Sequence, residues 1–130
     1  MAIVDDLLRN AYEDALLLQR NDFLGDNFSI SREVDFLLIA NDEKQGNTVC
    51  SFINDNQYGR ARVDEADGQY TVLVQLTMPI EQNIVCSVSA LMVCISHLFG
   101  VEYDGWGCEL RKAAQPGIQA DGPASGGSAA

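Results

Sequence analysis

A hairpin signal in the middle of the chain places the strongest limit on the fold. Residues 60–64 and 69–77 carry apolar side chains at alternate positions, and the acidic segment Glu65–Gly68 lies between them. Its Asp67-Gly68 pair favours a tight turn, because both residue types tolerate positive φ. The sequence therefore predicts two antiparallel strands joined by a short acidic turn.

A strand and a helix are predicted on each side of this hairpin. Residues 33–40 are short and apolar, as in a central strand, and Asn41 or Asp42 can cap the helix that follows. After the hairpin, apolar residues recur at helical spacing from Ile84 to Phe99. Pro79 suits the first turn of this second helix and Gly100 its left-handed end, and residues 101–110 predict a last strand.

An additional helix is predicted at residues 3–20. Its acidic residues at positions 5, 6, 13 and 14 lie largely opposite an apolar face. That face consists of Ile3, Val4, Leu7, Leu8, Ala11, Tyr12, Ala15 and Leu16.

The order of these elements predicts the fold class. Strand, helix, strand, strand, helix and strand, joined by right-handed crossovers, form a ferredoxin-like split βαβ sandwich. We therefore expect an α+β domain (βαββαβ) over residues 1–112, with the extra N-terminal helix. Residues 113–130 are dominated by Ala, Gly, Pro, Ser and Gln, which predicts a disordered tail.

One face of such a sheet has no helix of its own. Leu37, Ile39 and Leu73 are expected to leave an apolar patch there. We predict that either the N-terminal helix covers this patch or two subunits bury it in a homodimer.

The charge balance limits the class of partner. The chain has 19 acidic and 8 basic residues and a net charge of −11, with the acidic residues spread along it. Nucleic-acid binders present clustered Lys and Arg to phosphates, so we expect no direct nucleic-acid binding. A basic protein is the favoured partner.

The sequence has no export or membrane signal that we can identify. The N-terminus lacks the positive region of a signal peptide, and Ser and His interrupt the most apolar helix, so no segment is expected to cross a membrane. We predict a cytoplasmic protein in which Cys50, Cys86, Cys94 and Cys108 are reduced thiols.

No catalytic or metal-binding motif is evident. The single histidine, His97, and the absence of a Cys-x-x-Cys pair argue against a metal site, and no phosphate loop or nucleophile elbow is present. A thiol enzyme would require Cys108, His97 and Asp104 to converge. We expect a protein without enzymatic activity or cofactors.

The candidate partner-binding residues are acidic groups at turns and element ends. Solvated charge is the ordinary role of such groups, but they can also pair with arginines of a basic segment. They are Asp42, Glu43, Asp64, Glu65, Asp67, Glu102 and Asp104.

The motif Tyr103-Asp104-Gly105-Trp106-Gly107 combines two aromatic residues with a turn or bulge signal. Its aromatics suit either packing under the last strand or contact with a partner. In its context, Val101–Gly107, the motif resembles the closing segment of the ribonuclease E inhibitor family, also called regulator of ribonuclease activity B.

The resemblance implies a ferredoxin-like cytoplasmic protein that binds ribonuclease E, restrains its cleavage of RNA and so alters RNA decay. The members of the enterobacterial type end in a long acidic tail, whereas here Arg111-Lys112 precede a tail rich in Ala, Gly and Ser. The alternative is an acidic protein-binding module of another kind, such as an immunity or antitoxin-like protein.

Overall fold

The computed structural model describes residues 2–112, so the predicted disordered tail at 113–130 lies outside the described residues. Within that range the predicted order of helices and strands is confirmed. The elements are α1 (Ile3–Phe23), β1 (Arg32–Ala40), α2 (Glu43–Asp55), β2 (Arg60–Ala66), β3 (Gln69–Met78), α3 (Gln82–Phe99) and β4 (Glu102–Cys108).

The four strands form one antiparallel sheet in the order β2-β3-β1-β4. Each strand-helix-strand unit thus has a strand of the other unit inserted between its two parallel strands, which is the split βαβ arrangement. Helices α2 and α3 lie on the same face of the sheet. The predicted α+β ferredoxin-like fold with an N-terminal helix is confirmed.

The sequence signals for the turn between β2 and β3 and for the start of α2 have the predicted effect. Asp67 and Gly68 have φ of 53° and 79°, and they form the two-residue turn between β2 and β3. At the start of α2, the Asp42 side chain accepts a hydrogen bond from the backbone N–H of Gln45 at 2.8 Å. Pro79 differs from expectation, because α3 begins at Gln82 and Pro79 precedes the helix.

The core lies between the sheet and the two helices on its covered face. Alternate residues of β1 and β3 point into it, as period-two alternation requires. The central strands contribute Val34, Phe36, Leu38, Val72 and Val74, all with no exposed surface, and the helices contribute Val49, Ile53, Val85, Met92 and Ile95.

The prediction that the N-terminal helix covers the open sheet face is wrong. Helix α1 packs against α3, on the helix side of the sheet. The reason lies in α3, whose mean hydropathy of 1.6 reflects apolar residues around most of its circumference. One side of α3 faces the sheet, and the other side needs a second cover, which α1 supplies.

The predicted apolar patch is present on the open face. Leu37 and Leu73 lie directly opposite each other across β1 and β3, and with Ile39 they are half-buried. Burial of this patch by a second subunit stays a prediction.

Helix α3 also corrects the expectation that no segment is apolar enough to span a membrane. Among residues 2–112 it is the one helix that passes this test on length and composition. Its Val85, Met92 and Ile95 are fully buried, so α3 acts here as the core helix of the domain.

A buried ion pair fixes the connection between α1 and β1. The guanidinium Nη1 of Arg32 lies 2.7 Å from a carboxylate oxygen of Asp26, and both side chains are almost fully buried. Arg32 also donates hydrogen bonds to the backbone carbonyls of Asn27, Ile30 and Glu109. These bonds hold the 24–31 connection and the end of β4 against the start of β1.

Candidate functional site

A β-bulge in β4 explains the composition of the aromatic motif. Phe36 pairs with Trp106 and Leu38 pairs with Tyr103, so Asp104 and Gly105 together face one residue of β1. Gly105 has a φ of 92°, a conformation that favours glycine. Strict alternation would place residues 103 and 106 on opposite faces of the sheet. The extra residue brings both aromatic side chains to the covered face.

Trp106 is linked through its indole to the N-terminal helix. The side chain is 8% exposed, and its Nε1–H donates a hydrogen bond of 3.0 Å to Oδ1 of Asp14. Asp14 itself is 4% exposed, although its sequence position suggested the polar face of the helix. Burial raises the pKa of the Asp14 carboxyl, and the hydrogen bonds from Ser89 and Trp106 partly offset this effect.

Tyr103 belongs to the same hydrogen-bond network. Its phenol oxygen lies 2.9 Å from Oγ of the fully buried Ser89 on α3. Asn10 completes the network by donating to Ser89 at 3.0 Å and to Asp14 at 3.2 Å. Burial strongly raises the pKa of the Tyr103 phenol, which keeps the group neutral. The network therefore joins α1, α3 and β4 and holds both aromatic residues of the motif in place.

An open groove lies directly beside this network, between α1, α3 and β4. Its volume is about 670 Å³, and Asn10 and Tyr103 contribute to its lining. Its charged lining consists of the acidic residues Asp6, Glu13 and Glu102 together with Arg9 and His97. The groove is therefore mainly acidic, and its wall includes Glu102, one of the predicted partner-binding residues.

Two side chains with nitrogen donors, His97 and Arg9, are already engaged at the groove. His97 Nε2 lies 2.6 Å from a carboxylate oxygen of Asp6, and Arg9 pairs with the same carboxylate. The hydrogen bond with His97 lowers the pKa of Asp6, and Arg9 acts in the same direction. Asp6 is thus held ionised at the groove.

The structure brings most of the predicted acidic residues to one end of the sheet. At this end, Tyr70 of β3 pairs with Ala40 of β1 on one side and with Glu65 of β2 on the other. Glu102, the first residue of β4, pairs with Ile39 of β1. The ends of β1 and β2 and the starts of α2 and β4 therefore lie together. We define the acidic end as Asp6, Asp42, Glu43, Asp64, Glu65, Asp67 and Glu102.

Asp104 is the exception among the predicted residues. It lies in the bulge, partway along β4. All seven predicted acidic residues are exposed.

Basic residues are concentrated at the opposite end of the molecule. Arg32 pairs with Met78 and Arg60 with Gln75, at the ends of the strands farthest from Glu102. Five of the eight basic residues belong to this region, namely Arg20, Arg32, Arg60, Arg111 and Lys112. This basic end also carries the acidic residues Asp22, Asp26, Glu33, Asp55, Glu81 and Glu109, so its charge is mixed, whereas three basic residues remain for the rest of the domain.

The thiol-enzyme arrangement considered from the sequence does not form. Cys108 pairs with Val34 near the basic end, whereas His97 contacts Asp6 beside the acidic end. Burial raises the pKa of the Cys108 thiol, which disfavours the nucleophilic thiolate. Within the described part of the chain, His, Cys, Asp and Glu side chains do not gather in a group of three that could hold a metal ion.

Sequence reasoning missed the role of α1 in this site. Asp6, Asn10, Glu13 and Asp14 were not chosen as candidates. A signal was present, because Ile3, Leu7, Asn10, Asp14, Leu17 and Asn21 follow a spacing of four and three residues, which is typical of one packed helix face. The polar members obscured this face, and the predicted apolar face combined Ile3 and Leu7 with the outward residues Val4, Leu8, Tyr12 and Leu16.

These features define a small, strongly acidic α+β protein with a bulged aromatic motif in its last strand. The chain belongs to the RraB family, regulator of ribonuclease activity B, whose sequence model matches residues 12–108. The resemblance inferred from Val101–Gly107 is therefore confirmed. A search of curated proteins finds no match.

The family assignment establishes a coarse function. Members are regulators of ribonuclease activity rather than enzymes, and they act through a protein partner. The matched residues include Asp14, Ser89, Tyr103 and Trp106 of the buried network. Asp6 and Asn10 precede the matched region.

Proposed function

We propose that this protein binds ribonuclease E in the cytoplasm and restrains its cleavage of RNA, thereby modulating RNA decay. The observation that carries the proposal is the RraB family match over residues 12–108. The nuclease is the direct partner in this proposal, because a net charge of −11 opposes contact with RNA phosphates.

We place the contact at the acidic end and the adjoining groove. Exposed carboxylates such as Asp64, Glu65 and Glu102 are suited to accept paired hydrogen bonds from guanidinium groups. An arginine-rich segment of the nuclease would favour this end over the basic end, where carboxylates are already paired with Arg32, Arg60 and Arg111. Asp42, Glu43, Asp67 and Asp104 extend the same acidic surface.

Calorimetric titration with ribonuclease E from the same organism tests the proposal. We expect saturable binding that weakens as salt concentration rises, because exposed charge pairs are screened. RNA cleavage by the nuclease should slow in parallel as the complex forms. If neither binding nor slower cleavage is detected, ribonuclease E is not the target.

A charge-reversal variant tests the location of the contact. Replacing Asp64 and Glu65 with lysine and Asp67 with asparagine, which tolerates the φ of 53° at that position, should weaken binding several-fold while leaving the fold intact, because these side chains are exposed. The matched control replaces Asp22, Asp55 and Glu81, which are equally exposed but distant from the acidic end. If both variants weaken binding equally, only net charge matters and the acidic end is not the interface.

The second candidate is an acidic binding module for another basic protein, such as an immunity or antitoxin-like protein. The acidic end favours this candidate independently of the family assignment, because any basic surface can bind there. A gene for a basic toxin beside the gene for this protein, with tight binding between the two products, would establish it over ribonuclease E inhibition.

A further inference from the structure

The outward face of α1 is apolar and uncovered in the single chain. Val4, Leu8, Tyr12 and Leu16 form a row with a spacing of four residues, and they are 59%, 66%, 66% and 46% exposed. Phe23, at the C-terminal end of the helix, is 89% exposed. Scattered apolar residues are normal on a surface, but a continuous row along one helix typically marks an interaction site.

The rest of this chain supplies no evident cover for the row. Helix α1 packs with its opposite face, which contacts α3 and reaches Trp106 of β4. In sequence, residues 113–130 contain a single large apolar residue, Ile118, which is too little to cover a row of four. Among the described residues nothing covers the row, so we look to another molecule for its occupant.

The shape of the outward face of α1 allows it to pack against the same face of a second copy. Beside the row of large residues, Ala11 and Ala15 form a parallel row of small residues with the same spacing. A ridge of large residues fits a groove over small ones when two helices pack through their i, i+4 rows. One helix face thus carries both the ridge and the groove that a second copy requires.

The charged residues on the other side of the row can also pair with the same residues of a second copy. Asp5, Arg9 and Glu13 alternate in sign at the same four-residue spacing. In an antiparallel pair of helices, Arg9 of each copy lies near Glu13 of the other. Arg9 also pairs with Asp6 of its own chain, and a guanidinium group can pair with more than one carboxylate.

We propose that two copies of this protein associate through the outward faces of α1. The two helices pack antiparallel about a two-fold axis that passes between Ala11 and Tyr12, and they cross at roughly 50°. A basic partner is less suited to this face, because its flanking charges are mixed, unlike those of the acidic end. This surface shares Arg9 and Glu13 with the groove, but its apolar row lies outside the groove lining.

Sedimentation equilibrium of the purified full chain, without nuclease, tests the proposal. We expect a monomer–dimer equilibrium at micromolar to millimolar concentrations. The variant Leu8→Gln with Tyr12→Gln keeps helix propensity but removes the ridge, and its dimer dissociation constant should rise roughly tenfold or more. Both side chains are exposed, so circular dichroism should show an unchanged fold.

The matched control is Leu73→Gln on the open sheet face, the alternative dimer surface. The dimer dissociation constant of the Leu73→Gln variant should equal that of the wild-type protein. Salt gives a second readout: two chains of charge −11 repel each other, so added salt should strengthen the dimer, whereas it should weaken nuclease binding. A monomer at all concentrations, or a dimer that only Leu73→Gln weakens, would overturn the proposal.

Discussion

Trp106 on β4 donates its indole N–H to the carboxylate of Asp14 on α1, at 3.0 Å. Replacing Asp14 with alanine leaves this buried donor without its acceptor, so the free energy of unfolding should fall by about 1–3 kcal/mol. The adjacent Glu13→Ala is the control, because Glu13 is exposed and the change in helix propensity is similar. Urea unfolding followed by Trp106 fluorescence measures both variants. Equal stabilities would show that the bond contributes nothing.

The same carboxyl should give the protein a distinctive pH dependence. Burial raises the pKa of Asp14 above its ordinary value of 3.8, so the folded chain retains a proton that the unfolded chain releases. The stability that this protonation contributes is complete below pH 3.8 and is lost as pH rises through the folded pKa. The free energy of unfolding of wild type minus that of Asp14→Asn should therefore fall as pH rises from acidic values and then become constant. Unfolding of both proteins at several pH values measures this, and a difference that grows with pH would contradict it.

The bulge predicts a contrast between two glycines of the motif. Gly105 has a φ of 92°, and alanine in that conformation is strained, so Gly105→Ala should lower the free energy of unfolding by roughly 1–2 kcal/mol. Gly107→Ala is the matched control, since an added methyl group there meets no atom within 4 Å and φ is ordinary. Thermal unfolding compares the two variants. If both variants lose the same free energy of unfolding, the positive φ of Gly105 does not require a glycine.

Much of the fold was predictable because its signals are local. The alternation in residues 60–77, the Asp67-Gly68 turn and the Asp42 cap each depend on neighbours in sequence. Together they fix the order of elements, and the rules for right-handed crossovers then leave few topologies. The acidic residues at element ends were also predictable for this reason. Their convergence at one end of the sheet follows from the strand order.

The packing of α1 was not predictable from hydrophobicity alone. The helix has two apolar faces, and the larger one, with Leu8 and Tyr12, points outward. The inward face contains Asn10 and Asp14, whose burial depends on hydrogen bonds to Ser89 and Trp106, far away in sequence. The spacing of α1 residues alone does not identify such distant partners. The buried pair of Asp26 and Arg32 escaped prediction for the same reason.

Glu102 offers the sharpest functional test of the groove. Its exposed carboxylate lines the groove beside Tyr103, so Glu102→Gln should slow association with ribonuclease E and reduce the salt dependence of the association rate. The fold should be unaffected, because an exposed charge contributes little to stability. Glu81→Gln is the control: it makes the same change at an exposed position near the basic end. Stopped-flow association at two salt concentrations measures both variants. Equal association rates for the two variants would show that the groove is not part of the interface. The variant at Asp64, Glu65 and Asp67 would then test the rest of the acidic end.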